Sequence, residues 1–242
     1  VADFTPCNLR LVPLPPGTEP TGFHWGQYFW ASKDRRHRAW VHLPRVLRSL
    51  YGEGSGKLLF VVLLREPLAR MQSSWYASRA ENFSDTCIDC SGPSFQEALK
   101  DTLHKALDSH PVYADWLWAS MYARQLEVWL AYFGAPQFVI IPFRTYVNGD
   151  RLALCRSIAE RMKFELDCRK FVRSVARNAN MHPSILRDTT PQLQGLFRNV
   201  MSGEVVRLAM SLSTAFSDGA LLANYSGNGS VDSVQAWLES EW

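Results

Sequence analysis

The sequence predicts an α/β fold of three layers, with helices on both faces of a central parallel sheet. The first observation is the apolar run from Leu58 to Leu64, bounded by the charges of Lys57 and Arg65. Such a run is typical of a strand buried on both faces of a parallel sheet. The second is that apolar strand-like segments alternate with amphipathic helical ones along the chain. With 242 residues, 47% of them apolar, residues 1–242 form a single domain with a full core.

The predicted elements follow in chain order. Residues 13–22 are rich in proline and glycine and read as a loop. A short helix at 44–51 ends at the glycines of 52–56, and the strand at 57–64 runs into a helix that starts at Pro67, where the first turn tolerates proline. Further helices are predicted at about 94–108, 112–133, 150–162, 191–212 and 232–242, with a second strand at 137–141.

Composition restricts the function only weakly. The formal net charge of +3 does not by itself indicate a nucleic acid or a membrane surface. The longest apolar run is far shorter than the roughly 20 residues that cross a bilayer. A basic run at residues 33–38 is either a solvated loop or a contact for an anionic partner, and both interpretations stay open.

The cysteines and glycosylation sequons restrict the function little further. Cys87 and Cys90 have zinc-like spacing, but no second Cys or His pair follows them. We therefore predict no metal. Five scattered cysteines do not form a small-protein disulfide framework. Glycosylation sequons at Asn82, Asn224 and Asn228 favour a lumenal protein without deciding it.

The segment that follows the first buried strand carries the chemistry. Arg65 stands at the carboxyl end of that strand, where open α/β sheets place their ligands. Ser73 comes eight residues later, in the following helix, and the two side chains can converge on one anion. The alternative is a strand-end arginine that forms a salt bridge with Glu66 or another neighbour.

This segment resembles the 3′-phosphate-binding signature of sulfotransferases that use 3′-phosphoadenosine 5′-phosphosulfate (PAPS). In that signature a buried strand runs into Leu-Arg-[Asp/Glu]-Pro, then Arg, then Ser eight residues after the first Arg, then aromatic residues. The matching positions are Arg65, Glu66, Pro67, Arg70, Ser73, Trp75 and Tyr76. Residues 122–130 are similar to the family's Tyr-x-x-Gln-Leu-Glu-x-Trp-Leu helix, and residues 236–241 resemble the tail of the heparan-sulfate type of Golgi sulfotransferase.

The resemblance implies a sheet related to that of P-loop kinases and transfer of a sulfuryl group from PAPS, without a metal. Arg65 and Ser73 would hold the 3′-phosphate, and Arg177 is a candidate for a second contact with the nucleotide. Residues 3–9 look like the family's segment beside the acceptor site, which implies acceptor contacts for Asp3 and Thr5. The acceptor would be a carbohydrate or a small hydroxyl compound, and no nucleic acid partner is expected.

The family's glycine-rich loop for the 5′-phosphosulfate is not found. Glu53-Gly-Ser-Gly-Lys57 has suitable residue types but precedes the strand that ends at Arg65, so we interpret it as a helix-to-strand turn. In family order, the first strand, the donor loop and the catalytic base would all precede Val1. We therefore expect an N-terminally incomplete sulfotransferase whose catalytic residues are unknown.

Two alternatives remain beside the enzyme. One is a non-catalytic relative that keeps the 3′-phosphate site as a binding module for a nucleotide or a sulfated glycan. The other is a kinase-like phosphotransferase, which is disfavoured because Gly-x-x-x-x-Gly-Lys-[Ser/Thr] is absent from the sequence. For location, the resemblance and the sequons favour the Golgi lumen, with the cytoplasm as the alternative, and a membrane anchor is expected only if one lies upstream of Val1.

Overall fold

The computed structural model describes residues 12–14, 39–41, 43–80, 93–107, 117, 120–163, 165–169 and 184–242. The strands are β1 (Val12–Leu14), β2 (Ala39–Val41), β3 (Phe60–Leu64), β4 (Phe138–Pro142) and β5 (Leu221–Leu222). The helices are α1 (Leu43–Tyr51), α2 (Pro67–Ala80), α3 (Phe95–Leu107), α4 (Tyr122–Tyr132), α5 (Phe143–Asn148), α6 (Arg151–Met162), α7 (Ile185–Asp188), α8 (Pro191–Ser217) and α9 (Val231–Glu241).

The central sheet is parallel and small, and most of the described chain is helical. Its strand order is β3-β4-β5, with Phe60 opposite Phe138 and Leu64 opposite Pro142. All of β4 is buried, as expected for the middle strand of a sheet that is covered on both faces. Because the strands run parallel, the carboxyl ends of β3 and β4 lie at the same edge of the sheet.

Helices cover both faces of this sheet, so the predicted three-layer α/β architecture is confirmed. On one face, Phe60, Val62 and Leu64 of β3 pack in a core shared with α4, α8 and α9. Phe60 contacts the ring of Trp129, at 5.1 Å between centroids. On the other face, Val139 and Ile141 pack against Leu154 and Ile158 of α6.

A second core extends beyond the sheet. Leu68, Met71 and Trp75 of α2 pack there with residues of α3 and with the first turns of α8. This packing buries one side of α2 and fixes the direction in which the helix leaves the end of β3. The position of α2 therefore depends on contacts with α3 and α8 as well as on the sheet.

Most predicted elements agree with the structure to within a residue or two. The strand predicted at 57–64 begins only at Phe60, because Lys57 belongs to the preceding 3₁₀ helix, and α4 differs at its start. The helix begins at Tyr122, whereas the apolar spacing predicted a helix from residue 112, and residues 108–116, 118 and 119 lie outside the described part. Ser120 is in a turn, where its amide N–H donates to the carbonyl of Leu117 at 2.9 Å. Met121 offers no side-chain cap, and Glu204 of α8 accepts from the amide of Arg124 in the first turn instead.

The sequence pattern also missed several short elements. The region at 13–22 was predicted as a loop, but Pro13 and Leu14 belong to β1, which pairs antiparallel with β2. In the described part this sheet has two strands, and proline is tolerated in such a strand because each has a free edge. The elements α5, α7 and β5 were not predicted, because two to six residues carry too little periodicity, and α8 continues beyond the predicted end to Ser217.

A disulfide joins Cys155 in α6 to Cys168 in the segment that follows, with 5.6 Å between the Cα atoms. Cys155 is buried, so the bond fixes this segment against the helix layer on one face of the sheet. The sequence contained both cysteines but gave no basis for choosing their pairing.

We predict that Cys155→Ala and Cys168→Ala each lower the free energy of unfolding by about 3 kcal/mol, because the bond closes a short loop in the unfolded chain. The double variant should be no less stable than either single variant, since each one already breaks the bond. Denaturant unfolding under non-reducing conditions measures all three. Additive losses in the double variant would show that the two cysteines contribute independently of each other.

Candidate anion-binding site

The candidate site lies at the carboxyl edge of the sheet, in the turn from β3 to α2. Arg65 and Glu66 form this turn, and α2 begins at Pro67. The neighbouring strand β4 runs directly into α5, whose first residue is Phe143. The guanidinium carbon of Arg65 lies over the Phe143 ring, 5.0 Å from its centroid. Stacking on an aromatic face leaves the N–H edges of a guanidinium group available for an anion.

Glu66 caps the helix and does not pair with Arg65. Its Oε1 accepts from the amide of Leu68 at 2.9 Å, and its Oε2 accepts from the amide of Ala69. Within the described ranges, no carboxylate lies within salt-bridge distance of the Arg65 guanidinium. The alternative interpretation, in which Arg65 only forms a salt bridge with Glu66, is therefore wrong.

Burial acts on both members of this turn. Burial lowers the pKa of the half-buried Arg65, against the opposing influence of Tyr122 and Glu66, yet an arginine remains charged at physiological pH. Burial also raises the pKa of Glu66, although its two amide hydrogen bonds and the nearby charges of Arg65 and Arg198 act in the opposite direction. The turn thus holds a partly desolvated cation with no carboxylate paired to it in the described structure.

Ser73 lies on the face of α2 that is not packed into the core. Leu68, Met71 and Trp75 are buried on the opposite side, with Tyr76 partly buried against the same core, whereas Ala69 and Ser73 are only partly buried. Ala69 and Ser73 are four residues apart and lie on one side of the helix, whereas Arg65 precedes the helix. The convergence of Arg65 and Ser73 on one anion therefore stays a prediction.

Two hydrogen bonds from the start of α4 hold the turn. The hydroxyl of Tyr122 donates to the carbonyl oxygen of Arg65 at 3.0 Å. The hydroxyl of Ser120 donates to the carbonyl oxygen of Pro67 at 3.4 Å, and Ser120 accepts from Nη1 of Arg70 at 3.2 Å. Arg70, the second arginine of the signature, is buried, and its bond to Ser120 links the first turn of α2 to the residues before α4.

Another pair of side chains ties α7 to α2. Gln72 donates to Oδ2 of Asp188 at 2.8 Å, and Tyr76 donates to Oδ1 of the same carboxylate at 3.2 Å. Burial raises the pKa of Tyr76, and the Asp188 carboxylate raises it further. Asp188 could not be recognised from the sequence, because a lone aspartate in a polar link carries no signal of a distant partner.

The helix that resembles the Tyr-x-x-Gln-Leu-Glu-x-Trp-Leu motif serves the packing of α4. Trp129 and Leu126 are in the core, and buried Gln125 donates to the carbonyl of Met121 at 3.2 Å. Glu127 accepts two hydrogen bonds from Arg207 and one from Ser211, both on α8, and the Arg207 bonds lower its pKa. Only Tyr122 of this motif reaches the turn that holds Arg65.

The Gly-Ser-Gly-Lys segment lies away from Arg65. Gly52–Lys57 is a 3₁₀ helix just before β3, and the side chain of Gln137 donates to the carbonyls of Ser55 and Leu58, at 2.8 Å each. Its interpretation as a helix-to-strand turn is confirmed. It lies at the amino edge of the sheet, opposite the candidate site.

Other predicted site residues cannot be placed. Arg177, Asp3 and Thr5 lie outside the described residues, as do the basic run at 33–38 and the Cys87–Cys90 pair. In the described part of the chain, no group of three or more His, Cys, Asp or Glu side chains is arranged to hold a metal ion. Across the same residues, no helix combines the length and the apolar character needed to span a bilayer.

Comparisons with known proteins show a likeness to solved structures and not to profiles or curated sequences. No protein-family profile matches the chain, and no curated protein matches it. Among solved structures, it is similar to a sulfotransferase from Alicyclobacillus acidocaldarius, with 18% sequence identity and a TM-score of 0.45. The match covers 69% of this chain and 59% of that one, so it spans less than two thirds of the other protein.

The opposite pKa shifts of Glu66 and Glu127 predict opposite dependences of stability on pH. Folded Glu66 has a raised pKa, so above the ordinary value of 4.5 the folded state holds its proton more tightly than the unfolded chain. Its contribution to the free energy of unfolding therefore falls as pH rises through that range. Folded Glu127 has a lowered pKa, so its contribution falls as pH drops below 4.5.

Urea unfolding from pH 3 to pH 7 tests this with Glu66→Gln and Glu127→Gln, each compared with the unaltered chain. The stability difference between unaltered chain and variant should decrease with rising pH for Glu66 and increase for Glu127. The two variants serve as controls for each other, because each replaces one carboxylate by an amide. If both stability differences changed in the same direction with rising pH, the environments assigned to these two carboxylates would be wrong.

Proposed function

We propose that the chain is a sulfotransferase that moves a sulfuryl group from PAPS to a hydroxyl or amine of a carbohydrate-like acceptor. One observation carries the proposal. At the carboxyl edge of a parallel sheet, the half-buried cation of Arg65 stacks on Phe143 and pairs with no carboxylate of the described residues. Open α/β sheets bind their ligands at this edge.

A phosphate group suits this arrangement. A guanidinium group can donate two parallel N–H bonds to phosphate oxygens, and a serine hydroxyl can add a third. Arg65 and Ser73 would hold the 3′-phosphate of the nucleotide, which distinguishes PAPS from ATP. We retain Arg177 as a proposed further contact, because it follows Cys168 within the basic link that precedes α7.

The donor PAPS would supply both the sulfuryl group and the leaving group, 3′-phosphoadenosine 5′-phosphate. The oxygen or nitrogen of the acceptor forms a bond to sulfur and loses its proton to a base, and the bond from sulfur to the 5′-phosphate oxygen breaks. The products are the sulfated acceptor and 3′-phosphoadenosine 5′-phosphate. The residues described here would contribute nucleotide binding and orientation, which fix the donor in place for an in-line displacement. The proposal requires no metal.

The acceptor and the cellular location are parts of the same proposal. Asp3 and Thr5 are proposed acceptor contacts, and the basic run at 33–38 would suit an anionic glycan by charge complementarity. The Cys155–Cys168 disulfide supports an oxidising compartment such as the Golgi lumen. Asn224 and Asn228, which begin two of the sequons, are exposed and would be accessible for glycosylation there.

We predict that Arg65→Ala lowers the affinity of the chain for 3′-phosphoadenosine 5′-phosphate by about 30-fold. The reason is the loss of about 2 kcal/mol when one partner of a charge-assisted pair is removed. Ser73→Ala should cost less, about 5-fold, since a neutral hydroxyl forms a weaker bond. Isothermal titration calorimetry with the whole chain measures both changes.

Arg161→Ala is the matched control. Arg161 donates to the carbonyls of Pro136 and Gly219 at the amino edge of the sheet, so its removal deletes an arginine far from the site. Its nucleotide affinity should equal that of the unaltered chain. Equal affinity for 3′-phosphoadenosine 5′-phosphate and adenosine 5′-phosphate in the unaltered chain would contradict the proposed 3′-phosphate site. An Arg65→Ala variant with unchanged affinity for 3′-phosphoadenosine 5′-phosphate would also contradict this site.

A further inference from the structure

The turn that carries Arg65 needs an external support. Arg65 belongs neither to β3 nor to α2, so the regular hydrogen bonds of strand and helix do not fix its carbonyl group. The hydroxyl of Tyr122 donates to that carbonyl at 3.0 Å, from a residue 57 positions along the chain. The orientation of the peptide after Arg65 thus depends on a side chain of α4.

Tyr122 is suited to act as a rigid support. Only 1% of its surface is exposed, and its ring packs in the core shared by β3, α4, α8 and α9. A tyrosine ring has few rotatable bonds, so a packed ring fixes the position of its hydroxyl. Burial raises the pKa of Tyr122 to about 12, so the hydroxyl remains a donor at physiological pH.

The start of α4 is itself held in place. Glu204 of α8 accepts from the amide of Arg124 at 3.3 Å, and its carboxylate pairs with the Arg124 guanidinium at 3.4 Å. Glu204 is buried, at 8% exposed, whereas the Arg124 side chain is partly open to solvent. A continuous set of contacts therefore runs from α8 through the first turn of α4 to the carbonyl of Arg65.

We propose that Tyr122 is a positioning residue for the anion site: its hydroxyl orients the Arg65 turn so that the guanidinium group is presented to a 3′-phosphate. This inference rests on the proposed function, and it assigns Tyr122 no contact with the ligand. The competing explanation is that the hydroxyl only satisfies its own need for a hydrogen bond in the core. That role would affect stability but not the recognition of phosphate.

Tyr122→Phe separates the two explanations, because it removes the hydroxyl and keeps the ring. The affinities of the whole chain for 3′-phosphoadenosine 5′-phosphate and adenosine 5′-phosphate are measured by calorimetry, and stability by urea unfolding. We expect at least a fivefold weaker affinity for the 3′-phosphorylated nucleotide and an unchanged affinity for adenosine 5′-phosphate. The fraction of folded chain, known from the urea curves, corrects both affinities.

Tyr225→Phe is the matched control. The Tyr225 hydroxyl donates to Ser233 at 3.0 Å and accepts from the amide of Gly229 at 2.8 Å, so its loss also removes hydrogen bonds from a packed tyrosine. We expect this variant to lose stability and to keep the full preference for the 3′-phosphorylated nucleotide.

The outcomes distinguish the inference from the function on which it rests. If the unaltered chain prefers the 3′-phosphorylated nucleotide and Tyr122→Phe keeps that preference within twofold, the positioning role is wrong and the proposed function stands. If Tyr225→Phe loses the preference equally, the effect is one of general stability and the positioning role is again wrong. If the unaltered chain shows no preference, the proposed function fails and this inference fails with it.

Discussion

The use of the Glu66 carboxylate as a helix cap decides the chemistry of the turn after β3. Two adjacent residues of opposite charge would ordinarily be expected to neutralise each other. Here both oxygens of Glu66 accept from amides of the first turn of α2, where a carboxylate satisfies donors that have no partner within the helix. Arg65 stacks on Phe143 and forms no salt bridge with a carboxylate of the described residues, and this is the property that makes the turn a candidate site for an anion.

The parallel arrangement of the sheet explains why Arg65 and Phe143 lie in contact. Parallel strands bring the end of β3 beside the end of β4, so that Leu64 lies opposite Pro142 and Arg65 reaches the ring of Phe143. The helix layer on one face then supplies Tyr122, whose hydroxyl fixes the backbone of the turn. The segment with the glycine-rich composition is at the opposite edge of the sheet, where it connects α1 to β3.

The long elements could be predicted from the sequence because their patterns are local. The buried strand before Arg65, the helix that starts at Pro67 and the aromatic spacing of α4 each follow from a repeat of apolar residues. The short elements α5 and β5 could not, since their existence depends on what the sheet packs against. The position of Phe143 under Arg65 also depends on the pairing of two strands that are far apart in the sequence.

In the candidate site, too, some features could be predicted from the local sequence and others depend on distant contacts. Sequence spacing identified Arg65 and Ser73 as candidates for one anion site, but it could not decide whether Glu66 would pair with Arg65 or cap the helix. That choice is made by the geometry of the first helical turn, which the structure supplies. The hydrogen bonds of Tyr122 and Asp188 could not be predicted from the sequence either, because a hydrogen bond between distant segments leaves no periodic signal.

The most direct test of the account is the ¹⁵N–¹H spectrum of the arginine side chains during titration with 3′-phosphoadenosine 5′-phosphate. A guanidinium group that gains a phosphate partner changes its Nε–H chemical shift because its hydrogen bonding changes. We expect a saturable shift of the Arg65 resonance with this nucleotide, no such shift with adenosine 5′-phosphate, and an unchanged Arg161 resonance with either. Binding of the nucleotide with an unchanged Arg65 resonance would contradict the central claim that Arg65 holds the 3′-phosphate.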